Sequence, residues 1–394
     1  MATTGVGDPD AALQLVEAPV PHVAYEAPAP TATRPLQSQP SPARQAASSP
    51  VGAVVDVCGA GPTAVASRSD PVPDSSYGMS SALQSAIAGF ESSAQASTRA
   101  VGLYYGALSA ARTARLTAYA ADASCRDSKV CAGNVEDIAV IAAQPFRQGL
   151  QALAAHGSDP AVVALALSLC KGQTARSSCG EGVTGTRWAT LEPDNAAAWL
   201  HVVAEATERS DPRVAAEALA RAAASTRFDD YGRRLLAPVD SLDVKSAPTI
   251  ERYRAQTDIV SAWMTRPEPA YEQLTKSCLL ASLDDRARDA CSNLAGLVAD
   301  ESMIGRTLAI AIGKRAKWSE ERLERLQAEK VEFDRASASD GPSDEAARLT
   351  CAGMEAVQRS LTTLSRGGEL LELRQKIAMG KSTAGLRAAR PSSP

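Results

Sequence analysis

Alanine fills about one position in five of this 394-residue chain, while phenylalanine, tryptophan and tyrosine together reach only 4%. Alanine is the best helix former and strand-favouring aromatics are scarce, so the composition predicts helices and almost no sheet. The 45% apolar share rests heavily on alanine. The predicted core is therefore thin, with helices crossing closely on small side chains.

Twelve of the 23 prolines fall in the first 75 residues, interleaved with Ala, Ser and Thr. Such a stretch buries too little apolar surface to offset its ordering entropy, which predicts a disordered leader over 1–75. Within it, the apolar run Val51 to Val57 precedes Cys58-Gly59-Ala60-Gly61-Pro62, a superficial match to a dinucleotide-binding turn. That chemistry needs a helix N-terminus at the pyrophosphate and an acidic residue closing a second strand ~20 positions on. A Pro/Ser/Asp run follows instead, so the patch reads as a linker segment or one docked strand. Asp56 interrupts the run and no basic segment closely precedes it, so no secretory signal is read there.

From Met79 onward apolar residues recur at helical spacing, punctuated by Gly, Pro and Asp-Pro signals. The pattern predicts helices over 79–122, 134–156, 160–170, 195–208, 212–225, 249–265, 269–281, 285–299, 302–316, 319–338, 344–365 and 368–379. The expected fold class is all-α: stacked helical hairpins over 76–380, with a disordered tail over 381–394. Asp159-Pro160 and Asp211-Pro212 each place an N-cap carboxylate before a proline at the first helical position. The charged stretch Lys314 to Arg335 keeps an apolar face through Trp318, Leu323, Leu326 and Phe333, and reads as a solvated helix with one packed side.

One unit is more specific. The run Leu191-Glu192-Pro193-Asp194-Asn195-Ala196-Ala197-Ala198-Trp199, followed by Ala206, Ala215, Leu219 and Ala222, resembles a tetratricopeptide repeat over 188–228. The resemblance implies an irregular tetratricopeptide-like solenoid with a concave surface for a protein or peptide. Trp188, Trp199 and His201 are the candidate partner-binding residues on it. The wider segment, with Cys170, Cys179 and Trp188, is similar to Cys-containing all-helical proteins of GC-rich Gram-negative bacteria, which implies no activity. Arginine outnumbers lysine 32 to 9, as a GC-rich genome favours.

The eight cysteines form three close pairs, Cys125 with Cys131, Cys170 with Cys179 and Cys278 with Cys291, leaving Cys58 and Cys351 over. Cys278 and Cys291 are equidistant from the turn at Asp284-Asp285, so a helical hairpin there brings them within the ~4.4–6.8 Å that a bridge requires. All six are candidate disulfide cysteines, and bridges imply an oxidising compartment. Zinc needs Cys-x2–4-Cys pairs, and the sequence has none.

With 41 basic against 45 acidic residues, phosphate neutralisation is excluded as a mode of binding, and nucleic acid with it. No stretch approaches the ~20 apolar residues of a membrane span. His156 and His201 read as surface or helix-capping residues, Asp229-Asp230 and Asp284-Asp285 as caps, and Gly380-Lys381-Ser382 as a frayed tail without the first glycine of a phosphate loop. No catalytic, cofactor or metal residue is assigned. The expected function is non-enzymatic protein or peptide interaction in the periplasm or cell envelope. The alternatives are an exported effector, which the Ser/Pro-rich leader favours, and a hydrolase whose site would join a histidine to a carboxylate and a hydroxyl or thiol. A cytoplasmic location with reduced thiols is the alternative compartment.

Overall fold

The computed structural model describes residues 54–56, 58, 62–64, 78–121, 129–171, 179–180, 182–242, 249–280, 282–338 and 350–388. They belong to one compact unit, Pro50–Pro394. Residues 1–49, most of the expected leader, lie outside the described residues.

Helices dominate, as the alanine content requires. In chain order they are α1 (Ser81–Glu91), α2 (Ala96–Ala121), α3 (Lys129–His156), α4 (Pro160–Lys171), α5 (Gly185–Leu191), α6 (Ala196–Glu208), α7 (Pro212–Ala224), α8 (Pro238–Ser241), α9 (Thr249–Met264), α10 (Pro269–Thr275), α11 (Asp285–Val298), α12 (Met303–Arg315), α13 (Glu320–Ala338) and α14 (Cys351–Ala388). A 3-10 turn, Gly232–Leu236, precedes α8, and a π turn, Lys276–Leu280, extends α10. The one sheet among the described residues is a hairpin of β1 (Val54–Asp56) and β2 (Pro62–Ala64), paired antiparallel with Val55 opposite Thr63.

The caps are the expected ones. Asp211 Oδ1 accepts from Val214 N at 3.0 Å and Asp284 Oδ1 from Ala287 N at 2.7 Å, each satisfying an orphan donor of the first turn. The single helix expected over 79–122 is instead two, because the serines at the break compete for the backbone. Ser92 Oγ donates to Gly89 O, and Ser93 Oγ accepts from Gln95 N. α14 runs through Ala388, past the boundary expected at 380, and Gly368 at φ 77°, ψ 178° divides it into arms 351–367 and 369–388.

Short links make sequential helices neighbours: α2 packs on α3, α6 on α7, and α11 on both α12 and α7. Close approach is what the small residues supply. Ala196, Ala197 and Ala198 are fully buried on α6, and Gly185 lets the start of α5 lie on the α6 backbone, where a Cβ would stand 2.7 Å from His201 C. Trp188, Tyr104 and Tyr105 provide the bulk that alanine lacks. A smaller cluster, Phe333 and Ala336 of α13 with Leu370 and Leu373 of α14, covers one end. There Arg306 is wholly buried, donating to Ala299 O at 3.0 Å, pairing with Asp300 and Glu329, and stacking over Phe333.

The bridges differ from expectation in two places. Cys278 and Cys291 are joined as the hairpin geometry predicts, with Cα atoms 5.6 Å apart. Cys131 is disulfide-bonded, while Cys125 lies outside the described residues. Cys170 and Cys179 are not bridged to one another, contrary to the expected pair, and the Cys170 sulfur accepts from the Gln151 amide of α3 at 3.5 Å. Cys58 and Cys351, left over in the sequence, are joined across 293 positions. That bond ties the hairpin to the start of α14, so this part of the expected disordered leader is attached to the helical body.

Candidate functional site

The end of α4, the middle of α5 and α6, and the loop before α10 converge on a small cleft. Ser168, Trp188, His201, Asp230, Arg266 and Glu268 supply its polar and aromatic lining, over an apolar wall that includes Leu165 and Leu235. Its cavity volume is about 10 Å³, which is room for a single water.

Behind the cleft lies a clasp centred on Glu192, the residue that ends α5. Its Oε2 accepts from Trp188 Nε1 at 2.9 Å and from Asn195 Nδ2 at 3.1 Å, and its Oε1 accepts from Tyr231 and pairs with Arg227. Asn195 donates also to Asp229 O at 2.9 Å, while its Oδ1 accepts from Ala197 N and Asp229 N. The clasp thus caps α6 and pins the 227–231 turn to it. Burial alone raises the Glu192 carboxyl, but hydrogen bonds from Tyr231, Asn195, Trp188 and Arg227 outweigh it and hold the group below its ordinary value. Burial and the facing Glu192 push the Tyr231 phenol up.

On the other side, carboxylates gather around two guanidinium groups. Arg266 pairs with Glu268 at 2.8 Å and Asp230 at 3.5 Å, and Arg233 with Asp229 at 3.8 Å. Burial raises Asp229 and Glu268 above the usual carboxylate range. Glu301 is pushed up to about 7 by burial and by Asp229, Asp230 and Asp300, against the opposing pull of Arg233. Among the described residues no group of three or more His, Cys, Asp and Glu is placed to hold a metal.

Of the sequence-derived candidates, Trp188 and His201 are 1% and 4% exposed, with ring centroids 5.2 Å apart. They are core residues, not partner contacts or a surface histidine, because α5 is folded down onto α6. Trp199 is half-buried at the surface, its Nε1 donating to Pro193 O and its ring covered by Arg221 at 5.0 Å. Asp229 and Asp230 accept from the N–H groups of Tyr231 and Gly232 and so shape the turn, but they are not the helix N-caps expected of them: the N-cap of the 3-10 turn that follows is Tyr231.

The cleft does bring a histidine, a carboxylate and a hydroxyl together, which sequence reasoning did not foresee. Their chemistry is engaged elsewhere. Ser168 Oγ donates to Pro267 O at 3.3 Å and shares a hydrogen bond with Tyr104, and Asp230 is taken by Gly232 N and Arg266. The arrangement is a locked polar junction at which four segments meet. No family model, curated protein or solved structure matches the chain.

Proposed function

We propose that this chain is a non-catalytic scaffold of stacked helical hairpins, an irregular tetratricopeptide-like solenoid, that binds a basic amphipathic helix of another protein or peptide. An oxidising compartment such as the periplasm or cell envelope is its proposed location, in keeping with the bridges at Cys278–Cys291 and Cys58–Cys351.

The observation that carries the reading is an apolar stripe on α3. Val130, Ile138 and Ile141 are 78%, 47% and 71% exposed, and residues at i, i+8 and i+11 share one face of a helix. Branched aliphatics left in water are stabilised when covered, by ~25 cal/mol per Å² of apolar area. Asp137, exposed beside Ile138 and Ile141, puts a negative charge at the margin of the stripe. An occupant with an apolar face and a flanking lysine or arginine complements both.

Two designed helical peptides with one apolar face, flanked by lysine in one and by glutamate in the other, test this by fluorescence anisotropy on the full chain. The lysine peptide is expected to bind, to weaken at least tenfold with Ile138→Asp/Ile141→Asp, and to weaken with Asp137→Lys. Equal binding of the two peptides, or binding that survives the double variant, overturns the reading.

A hydrolase is the second reading, favoured only by the meeting of Ser168, His201 and Asp230 in the cleft. Covalent labelling of Ser168 by a fluorophosphonate would establish it. An unlabelled Ser168 in the native chain removes it.

A further inference from the structure

The bridges at Cys278–Cys291 and Cys58–Cys351 differ in access. Cys278 and Cys291 are each 0% exposed inside the core, so an external thiolate reaches neither sulfur unless the surrounding helices open. Cys351 is exposed and Cys58 half-buried. Exposed disulfides are the labile ones in thiol exchange.

The two ends of the Cys58–Cys351 bond are also held unequally. Cys351 stands at the first position of α14, after Thr350, whose Oγ1 accepts from Gly353 N at 3.1 Å and whose carbonyl accepts from Met354 N at 2.9 Å. Further along the same arm Leu361 is buried, and Gln358 joins α9 through Gln256 at 2.8 Å and α8 through Val239 O at 3.2 Å. That arm is fixed without the bridge. Cys58 lies in the turn between β1 and β2, two strands that pack chiefly on each other. Its backbone is at φ 45°, a left-handed conformation that a residue other than glycine keeps only where its surroundings impose it. Cutting the bond therefore frees the hairpin and leaves α14 in place. The helix end adds its own chemistry. The first turn, Cys351-Ala352-Gly353-Met354, holds no acidic residue, and the positive end of a helix favours thiolate over thiol at such a position.

We propose that Cys58–Cys351 is a reversible redox tether, opened by a low-molecular-weight thiol to release the hairpin from the helical body, with Cys351 as the sulfur that carries the transient adduct. An external thiolate attacks the exposed Cys351 sulfur, the Cys58–Cys351 bond breaks, and Cys58 leaves as a thiolate that takes a proton from solvent. A second external thiolate attacks the external sulfur of the mixed disulfide, and Cys351 leaves as a thiolate stabilised by the helix N-terminus. One protein disulfide and two external thiols become two protein thiols and one external disulfide. The protein is reduced and the external thiol oxidised. An oxidised pool runs the same steps backwards.

The test equilibrates the full chain at graded ratios of reduced to oxidised glutathione, quenches with N-ethylmaleimide and maps the cysteines by mass spectrometry. Cys58–Cys351 is expected to open at ratios that leave Cys278–Cys291 joined, while circular dichroism keeps its helical signal. Hydrogen exchange over 54–64 is expected to quicken about tenfold as the bond opens, because a two-stranded hairpin without support is marginal in water. Cys58→Ser/Cys351→Ser is expected to exchange fast at every ratio. Quenching during the opening is expected to trap glutathione on Cys351 rather than on Cys58. Ala352→Asp, which puts a carboxylate into the first turn, is expected to prolong that adduct about threefold. Both bridges opening at one ratio, or exchange over 54–64 unmoved by the opening, overturns the proposal. Glutathione trapped on Cys58 instead removes the role of Cys351, and an unchanged adduct lifetime in Ala352→Asp removes that of the helix end.

Discussion

At the scale of single residues, two glutamates respond to pH in opposite directions. Glu192 is held below its ordinary value by four donors, so its contribution to stability is present above the unfolded pKa and is lost as pH falls through the folded one. Its side chain is only 9% exposed, and Glu192→Ala strands the Trp188, Asn195, Tyr231 and Arg227 donors together. The variant is expected to lose about 3–5 kcal/mol in urea denaturation at neutral pH, with a smaller deficit in acid. Glu301 is raised to about 7, so the protonated form is the one that suits the fold. Its contribution is present below the unfolded pKa and fades as pH rises through about 7. Glu301→Gln is expected to flatten that part of the stability profile between pH ~4.5 and ~7 in thermal melts, and an unchanged slope would count against the assignment. Neither role is legible in sequence, since the partners of Glu192 lie up to 39 positions away and Glu301 answers to charges on another turn.

At the scale of elements, caps and hairpin turns were readable because they depend on groups three or four positions apart. Asp211 and Asp284 cap as expected, and the pairing of Cys278 with Cys291 follows from a turn midway between them. The break at 92–95 escaped, because apolar periodicity runs through it while serine hydroxyls divert the backbone. α5 escaped as well, being only 7 residues long and fixed by tertiary contacts of Trp188 rather than by propensity. Gly368 marks the other kind of boundary. Its φ of 77° with ψ of 178° lies in a region open essentially to glycine, so Gly368→Ala is expected to lose about 1–3 kcal/mol through backbone strain. The nearest atom to an added Cβ is Arg233 Cδ at 3.4 Å, an ordinary contact. The loss should therefore appear in equilibrium unfolding while Gly367→Ala, which meets Leu371 instead, reports packing.

At the scale of the whole molecule, helix content was evident from alanine, but the convergence of Ser168, Asp230, Arg266 and Glu268 was not. Four segments with no shared periodicity build that cleft, and no local signal records their meeting. The two described bridges also act at different ranges. Cys278–Cys291 encloses a short loop, for which loss of the bond is expected to lower stability by ~3 kcal/mol on the chain-entropy model. Cys58–Cys351 spans 293 positions, and the same model gives more than the ~4.7 kcal/mol of a 100-residue loop. A Cys58→Ser/Cys351→Ser chain compared with Cys278→Ser/Cys291→Ser by calorimetry separates the cases. The long-range pair should lose more if the hairpin constrains the unfolded body, and equal losses would show that it constrains only itself.

The long bond also makes most of the polypeptide a covalent ring. A protease that nicks a surface loop anywhere between residues 59 and 350 leaves the two pieces chemically attached. The cut product would run as one species until a reducing agent opens the ring, so this chain can tolerate being clipped without shedding a fragment.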